Sequence, residues 1–251
     1  ETMALGPNTD AHMRPYGQAG TYAAEYDAGL RAYMLRVYNY MASGLLLTGI
    51  VAYFTASTPE IMQLFYTATA RGQLMHRLGD LILQNAEHLA EIEVRDNGKL
   101  MAEMLGQVKY LAQWYYYFGG LADKIEGAVI PIDKPSVLNY TRREPLGACA
   151  MIVPWNSPLL LLSWKLAPAL AAGNTAVVKP SEFTSCSTLE FAKLIEAAGF
   201  PPGVFNVVTG FGAETGEPLV SHPKIAKVAF TGGDASGKRV YQTAAGHLKP
   251  V

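Results

Sequence analysis

Between Ala148 and Ala245, short apolar runs with strand character alternate with stretches of helical periodicity, and this alternation constrains the fold more than any other feature of the 251-residue chain. Strands are read at Ala148–Val153, Thr175–Lys179, Val204–Val208 and Lys227–Phe230. Helices are read at Pro158–Ala172, Ser185–Ala198, near Glu214–Ser221, and at Ala235–Ala245. Strands joined through crossover helices form a parallel sheet. Such a sheet binds ligands outside the carboxyl ends of its strands. The clusters suited to a ligand fall at those ends: Ile152 and Pro154-Trp155-Asn156; Lys179-Pro180-Ser181-Glu182; Gly210-Phe211-Gly212 with Gly216; and Phe230-Thr231-Gly232-Gly233. Four strand ends on one rim, each equipped for a nucleotide, carry more weight than any one of them.

Each cluster has an ordinary reading beside the functional one. Lys179 and Glu182 place an ammonium and a carboxylate where both reach ribose hydroxyls, or they form a solvated turn with Ser181 as a helix cap. The glycines at 210, 212 and 216 let backbone approach a ligand closely, although Gly-x-Gly is common in loops. Thr231-Gly232-Gly233 opens a helix whose free N–H groups suit a pyrophosphate. Asp234 at that helix start is an ordinary cap and would repel phosphate if turned inward. Asn156 offers an amide N–H to a developing oxyanion, or it is a turn asparagine.

The rest of the chain divides in two. Residues 71–96 carry leucines and isoleucines at spacings of three and four, a helical pattern, and a second helix follows from about Lys99 to Asp123. Residues 128–145 read as extended pieces at a sheet edge or in an arm. Residues 1–70 differ: Arg14, Arg31 and Arg36 are their only basic residues, and no charge lies between Arg36 and Glu60. The run Val37–Thr58 spans roughly 30 Å as a helix, the thickness of a bilayer core. It is therefore expected to insert in a membrane, with the N-terminus cytoplasmic because the arginines precede it; a buried helix of a soluble protein is the alternative. Residues 20–66, including AEYDAGLRAYMLRVYNYMASGLLLTGIVAYFTA, resemble the arm and first membrane helix of Bax-inhibitor-like membrane proteins.

A net charge of −1 excludes a dedicated nucleic-acid binder. Two cysteines and five scattered histidines exclude a disulfide framework and a metal site. No metal is expected.

The stretches MIVPWNSP, GNTAVVKPSEFTS, PPGVFNVVTGFGAETG and KVAFTGG, in this order and spacing, resemble the aldehyde dehydrogenase superfamily over about residues 71–251. The resemblance implies an α/β fold of modified Rossmann type, a parallel sheet with crossover helices, truncated here and preceded by one apolar helix (domains 1–70 and 71–251). It implies NAD as cofactor, with NADP disfavoured because Glu182 repels a 2′-phosphate. Trp155 would line the groove and Lys179 and Glu182 hold the adenosine ribose. Gly212 and Gly216 would lie near the adenine, while Phe230, Thr231, Gly232 and Gly233 flank the pyrophosphate and nicotinamide. Many relatives carry serine where this chain has Gly233, so a hydroxyl contact to phosphate is missing. Asn156 would supply one oxyanion donor for a thiohemiacetal formed from an aldehyde substrate.

In the family a cysteine thiolate attacks the aldehyde and a glutamate activates water. Relatives carry both beyond the position of Val251, so the chain is expected to bind cofactor without turning over aldehyde. Cys149 and Cys186 read as packing residues. The same reading expects a cytoplasmic dehydrogenase part, homo-oligomers in the intact family through arms like 128–145, and a composite or truncated chain with a junction near Thr69–Arg71.

Overall fold

The computed structural model describes residues 67–251. The run Val37–Thr58, the resemblance over residues 20–66 and most of the 1–70 domain lie outside them. Three helices come first: α1 (Ala68–Gln84), α2 (Ala86–Asn97) and α3 (Met101–Leu121). One continuous helix was expected over 71–96, but it breaks at Asn85, whose backbone leaves the helical region (φ −107°, ψ 16°) and whose Nδ2 donates to Leu81 O at 2.8 Å beside its own N–H. α2 ends at Gly98, left-handed at φ 73°, with Gly98 N–H donating to Val94 O. α1 runs without interruption through Thr69–Arg71.

Next come β1 (Ala148–Ile152), α4 (Pro158–Ala171), β2 (Thr175–Lys179), α5 (Cys186–Ala198) and β3 (Phe205–Val207). A π-helical turn (Gly212–Gly216) leads to α6 (Glu217–Ser221), β4 (Ile225–Phe230) and α7 (Asp234–Ala245). The sheet is parallel, in the order β3-β2-β1-β4. Every strand anticipated in the alternating region is present, Thr175–Lys179 with its bounds unchanged and the others with bounds moved by one or two residues.

Strand alternation sends Cys149 and Met151 to one face and Ala150 to the other. The first face packs on α4 through Leu159, Leu162, Leu166 and Leu170, and on α5 through Phe191 and Ile195, with α1 to α3 completing that core. The second face is smaller, formed with Val220, Ile225, Val228 and Ala244 of α6, β4 and α7. β2 and β3 thus extend the sheet away from β1 on one side, while β4 joins on the other. The crossover direction reverses between β1 and β4, and a crevice opens at such a switch point.

Residues 128–141 form an exposed extended arm closed by an antiparallel bridge between Val129 and Tyr140, with Ile130 N–H donating to Asn139 O and Thr141 N–H to Ala128 O. Its apolar residues Val129, Val137 and Leu138 are solvent-facing. Among the described residues no helix is long and apolar enough to cross a membrane, and no cluster of histidines, cysteines and carboxylates has the makings of a metal site.

Candidate cofactor site

The loops after all four strands meet at one cleft of about 320 Å³. Ile152 ends β1 and Pro154 and Trp155 follow it, Lys179 ends β2 and Ser181 and Glu182 follow it, and Gly212 and Gly216 come from the π-helical turn after β3. Phe230 ends β4, and Thr231, Gly232 and Gly233 follow it. The structure therefore brings together twelve residues singled out in the sequence. Asn156 does not line the cleft; it sits exposed in the adjoining loop, one residue past Trp155.

Lys179 ends a buried strand, so its side chain is only 4 % exposed. Its Nζ donates to Pro180 O at 3.1 Å and lies 3.6 Å from Glu182 Oε2. Burial pushes the ammonium below the ordinary lysine range, opposed by the Glu182 carboxylate. Glu182 is about one-third exposed, its carboxylate within reach of the cleft. Ser181 does not cap α5 with its hydroxyl; Ser181 Oγ accepts from Phe183 N–H, and Ser181 O accepts from Ser185 Oγ at 2.8 Å. The turn is thus tied down from within.

Glycine makes room at two places. A Cβ on Gly212 or Gly233 would meet nothing within 4 Å, so these backbones face open space. A Cβ on Gly232 would come within 2.6 Å of the Phe230 ring, so a side chain there would have to displace that ring. α7 begins at Asp234 after Gly233, with no side chain capping its first N–H groups. They remain available to an anion, and Asp234 is absent from the cleft lining. Arg239 of α7 pairs with Glu217 of α6 at 2.5 Å beside the same cleft.

Sequence reading missed Lys165. Its Nζ donates to Leu161 O at 3.0 Å and to Thr231 Oγ1 at 2.5 Å, tying α4 to the loop after β4. The signal was a single cation in the otherwise apolar helix PLLLLSWKLAPALA. Burial lowers its pKa from 10.5 to about 8. The folded chain releases this proton near pH 8 and the unfolded chain near 10.5, so Lys165 makes stability rise with pH through that window. Lys165→Met is expected to remove the rise. Urea midpoints of both proteins at pH 7.5 and pH 10 check this: the wild type should gain on the variant at the higher pH.

Neither cysteine is an activated nucleophile. Cys149 is buried on the first sheet face, and burial pushes its thiol up. Cys186, exposed at the start of α5, is also pushed up, by partial burial and then by its neighbour Asp96. A thiol activated for attack has its pKa lowered.

A doubly wound parallel sheet with this cleft at its switch point defines a dinucleotide-binding class of α/β protein. The chain belongs to the aldehyde dehydrogenase family, whose model matches residues 64–251. It is 51% identical over 185 residues to (Z)-2-((N-methylformamido)methylene)-5-hydroxybutyrolactone dehydrogenase of Acinetobacter baylyi, covering 74% of this chain and 38% of that protein. It is 48% identical over 186 residues to retinaldehyde dehydrogenase 3 of Rattus norvegicus, covering 73% and 36%. Among solved structures it resembles the NAD+ complex of an aldehyde dehydrogenase from Bacillus cereus, with a TM-score of 0.71 and 43% identity over 74% of this chain and 39% of that one. It also resembles betaine aldehyde dehydrogenase of Staphylococcus aureus in complex with NAD+, at TM-score 0.71 and 38% identity over 73% and 38%. The chain thus spans well under half the length of these relatives. The family match begins at residue 64, and the resemblance of residues 20–66 to Bax-inhibitor-like membrane proteins receives no support from the comparisons.

Proposed function

We propose that the cleft is the NAD-binding half of an aldehyde dehydrogenase, a family that oxidises aldehydes to carboxylic acids. The observation that carries this reading is the convergence of Trp155, Lys179, Glu182, Gly212 and Gly232 from four strand ends on one cleft at the β1/β4 switch point. The residues present fit the cofactor: a buried lysine and a carboxylate suit the adenosine ribose, and open glycines with an uncapped helix suit the pyrophosphate. The NAD+ complexes among the structural relatives support the choice of cofactor. Bound NAD+ supplies a hydride acceptor.

In this reading Ile152, Pro154 and Trp155 form one wall of the groove and Lys179 and Glu182 hold ribose hydroxyls. Ser181 fixes the turn between them. Gly212 and Gly216 pass close to the adenine. Phe230, Thr231, Gly232 and Gly233 flank the pyrophosphate and nicotinamide, with Lys165 holding the Thr231 hydroxyl in place. Asn156 donates to the oxyanion developing from the aldehyde carbonyl. The raised thiols of Cys149 and Cys186 leave the nucleophile's role unfilled among the described residues. The purified 251-residue chain should bind NADH without producing it from aldehyde and NAD+. The cytoplasmic placement, the division of the chain near residue 70 and oligomerisation through the exposed arm 128–145 belong to the same reading.

Glu182 gives the sharpest test. Its carboxylate repels a 2′-phosphate, so Glu182→Gln should improve NADPH affinity relative to NADH by about tenfold, a difference of about 1.4 kcal/mol. Fluorescence titrations with both nucleotides check this. An unchanged ratio would remove Glu182 from the ribose site.

A further inference from the structure

The two helices that follow the β1 and β2 loops of the cleft are not capped by their own residues. Ser157 and Ser185 occupy the N-cap positions of α4 and α5, and neither side chain bonds a free N–H of its helix. Ser157 Oγ accepts instead from Lys99 Nζ at 3.2 Å, and Ser185 Oγ turns back to donate to Ser181 O. Two carboxylates from the end of α2 serve those helix ends. Glu93 Oε1 accepts from Leu159 N–H at 2.9 Å, in the first turn of α4, and from Ser187 Oγ of α5 at 3.3 Å. Asp96 Oδ2 accepts from Cys186 N–H at 3.0 Å, the first residue of α5. Asn97 Nδ2 adds a long bond, 3.4 Å, to Asn156 O.

These partners are far apart in sequence. Glu93 reaches across 66 residues to Leu159, and Asp96 across 90 to Cys186. Glu93 is 1 % exposed, and its second oxygen has no hydrogen-bond partner among the described residues. Burial pushes the Glu93 carboxyl above its ordinary range, and the Leu159 N–H and the Ser187 hydroxyl at the helix ends it faces oppose that shift. The loops that precede α4 and α5 carry Trp155 with Asn156, and Ser181 with Glu182. One turn of α2 therefore holds both walls of the cleft in register without lining it.

We propose that Glu93 and Asp96 are positioning residues for the cofactor cleft, capping α4 and α5 from a neighbouring helix and so fixing the loops 154–157 and 180–185 relative to each other. The proposal rests on the reading of the cleft as an NAD site. It assigns to the acidic turn of α2 a share of cofactor affinity that no cleft residue supplies.

The experiment uses the 251-residue chain, with NADH affinity read by fluorescence and amide exchange read at Leu159 and Cys186. Asp96→Ala should weaken NADH about fivefold and speed exchange of the Cys186 amide. Asp96→Asn, which keeps an acceptor oxygen, should restore both. Val94→Ala, which softens the packing of the same helix and removes no carboxylate, should leave both unchanged. Glu93→Gln should retain the Leu159 bond and bind NADH as the wild type does. Wild-type affinity and protection in Asp96→Ala would overturn the proposal, as would equal losses in Val94→Ala or no rescue by asparagine. Failure of the wild type to bind NADH would instead sink the cofactor reading, and the exchange rates would then decide the capping claim alone.

Discussion

Lys179→Met is expected to weaken NADH binding by about ten- to a hundredfold while leaving the fold intact. The lysine ends β2 with its side chain 4 % exposed, and its ammonium bonds Pro180 O and faces Glu182. The methylene stem passes Gly216, where an added Cβ would lie 3.5 Å from Lys179 Cδ, so the stem fills the floor of the cleft. Methionine fills a similar volume and removes the charge. A hydrogen bond from a charged group contributes about 1.5–3 kcal/mol, and that range sets the expected loss. Stability should change little, because burial already works against the ammonium and lowers its pKa. Titration with NADH beside a thermal melt separates the two. A parallel drop in melting temperature would point to a structural lysine.

Phe191→Ala should have the largest effect on stability. Phe191 is fully buried in α5, its ring 6.1 Å from Tyr115 of α3 and 6.0 Å from Phe205 of β3. It therefore joins three elements: the helical layer, the crossover helix and the edge strand. Truncating such a ring costs about 3–5 kcal/mol, the lost transfer energy plus an unfilled cavity. For a chain of this size the melting temperature should fall by roughly 10 °C. Tyr115 would keep its hydrogen bond to Ser163 and would not fill the gap. A differential-scanning melt gives the answer, and a shift of only a degree or two would mean that α5 packs elsewhere.

The residues show why parts of this picture were legible in the sequence. Ala148–Ile152, Thr175–Lys179 and Ile225–Phe230 are apolar runs too short for buried helices and bounded by glycine or proline, so their strand character and parallel order followed from local pattern. The cleft followed too, since in a parallel sheet the loops after the strands share one rim. What lay beyond reach depended on which partner a polar side chain takes. At the Asn85 break that partner is local, the side-chain amide sharing Leu81 O with its own N–H, and Asn inside a helical pattern gives only a weak warning of it. The short π-helical turn at Gly212–Gly216 was read as a glycine loop running into an ordinary helix near Glu214, because the pattern GAETG does not distinguish the two. Lys165 and Glu93 were passed over for the same reason. Lys165 is a lone charge in an apolar helix and Glu93 one of several charges in α2, but their partners, Thr231 and Leu159, are each 66 residues away. Asn156 was placed in the right loop, and its exposure outside the cleft lining follows from a bend of the backbone after Trp155 that no spacing rule gives.

The dinucleotide seat itself is best tested by following backbone amide resonances of the chain during titration with NAD+. Shifts confined to Ile152–Trp155, Lys179–Glu182, Gly212–Gly216 and Thr231–Gly233 would place the ligand where the four loops meet. Saturable shifts gathered elsewhere, for instance along the extended arm at 128–141, with those loops silent, would contradict the account.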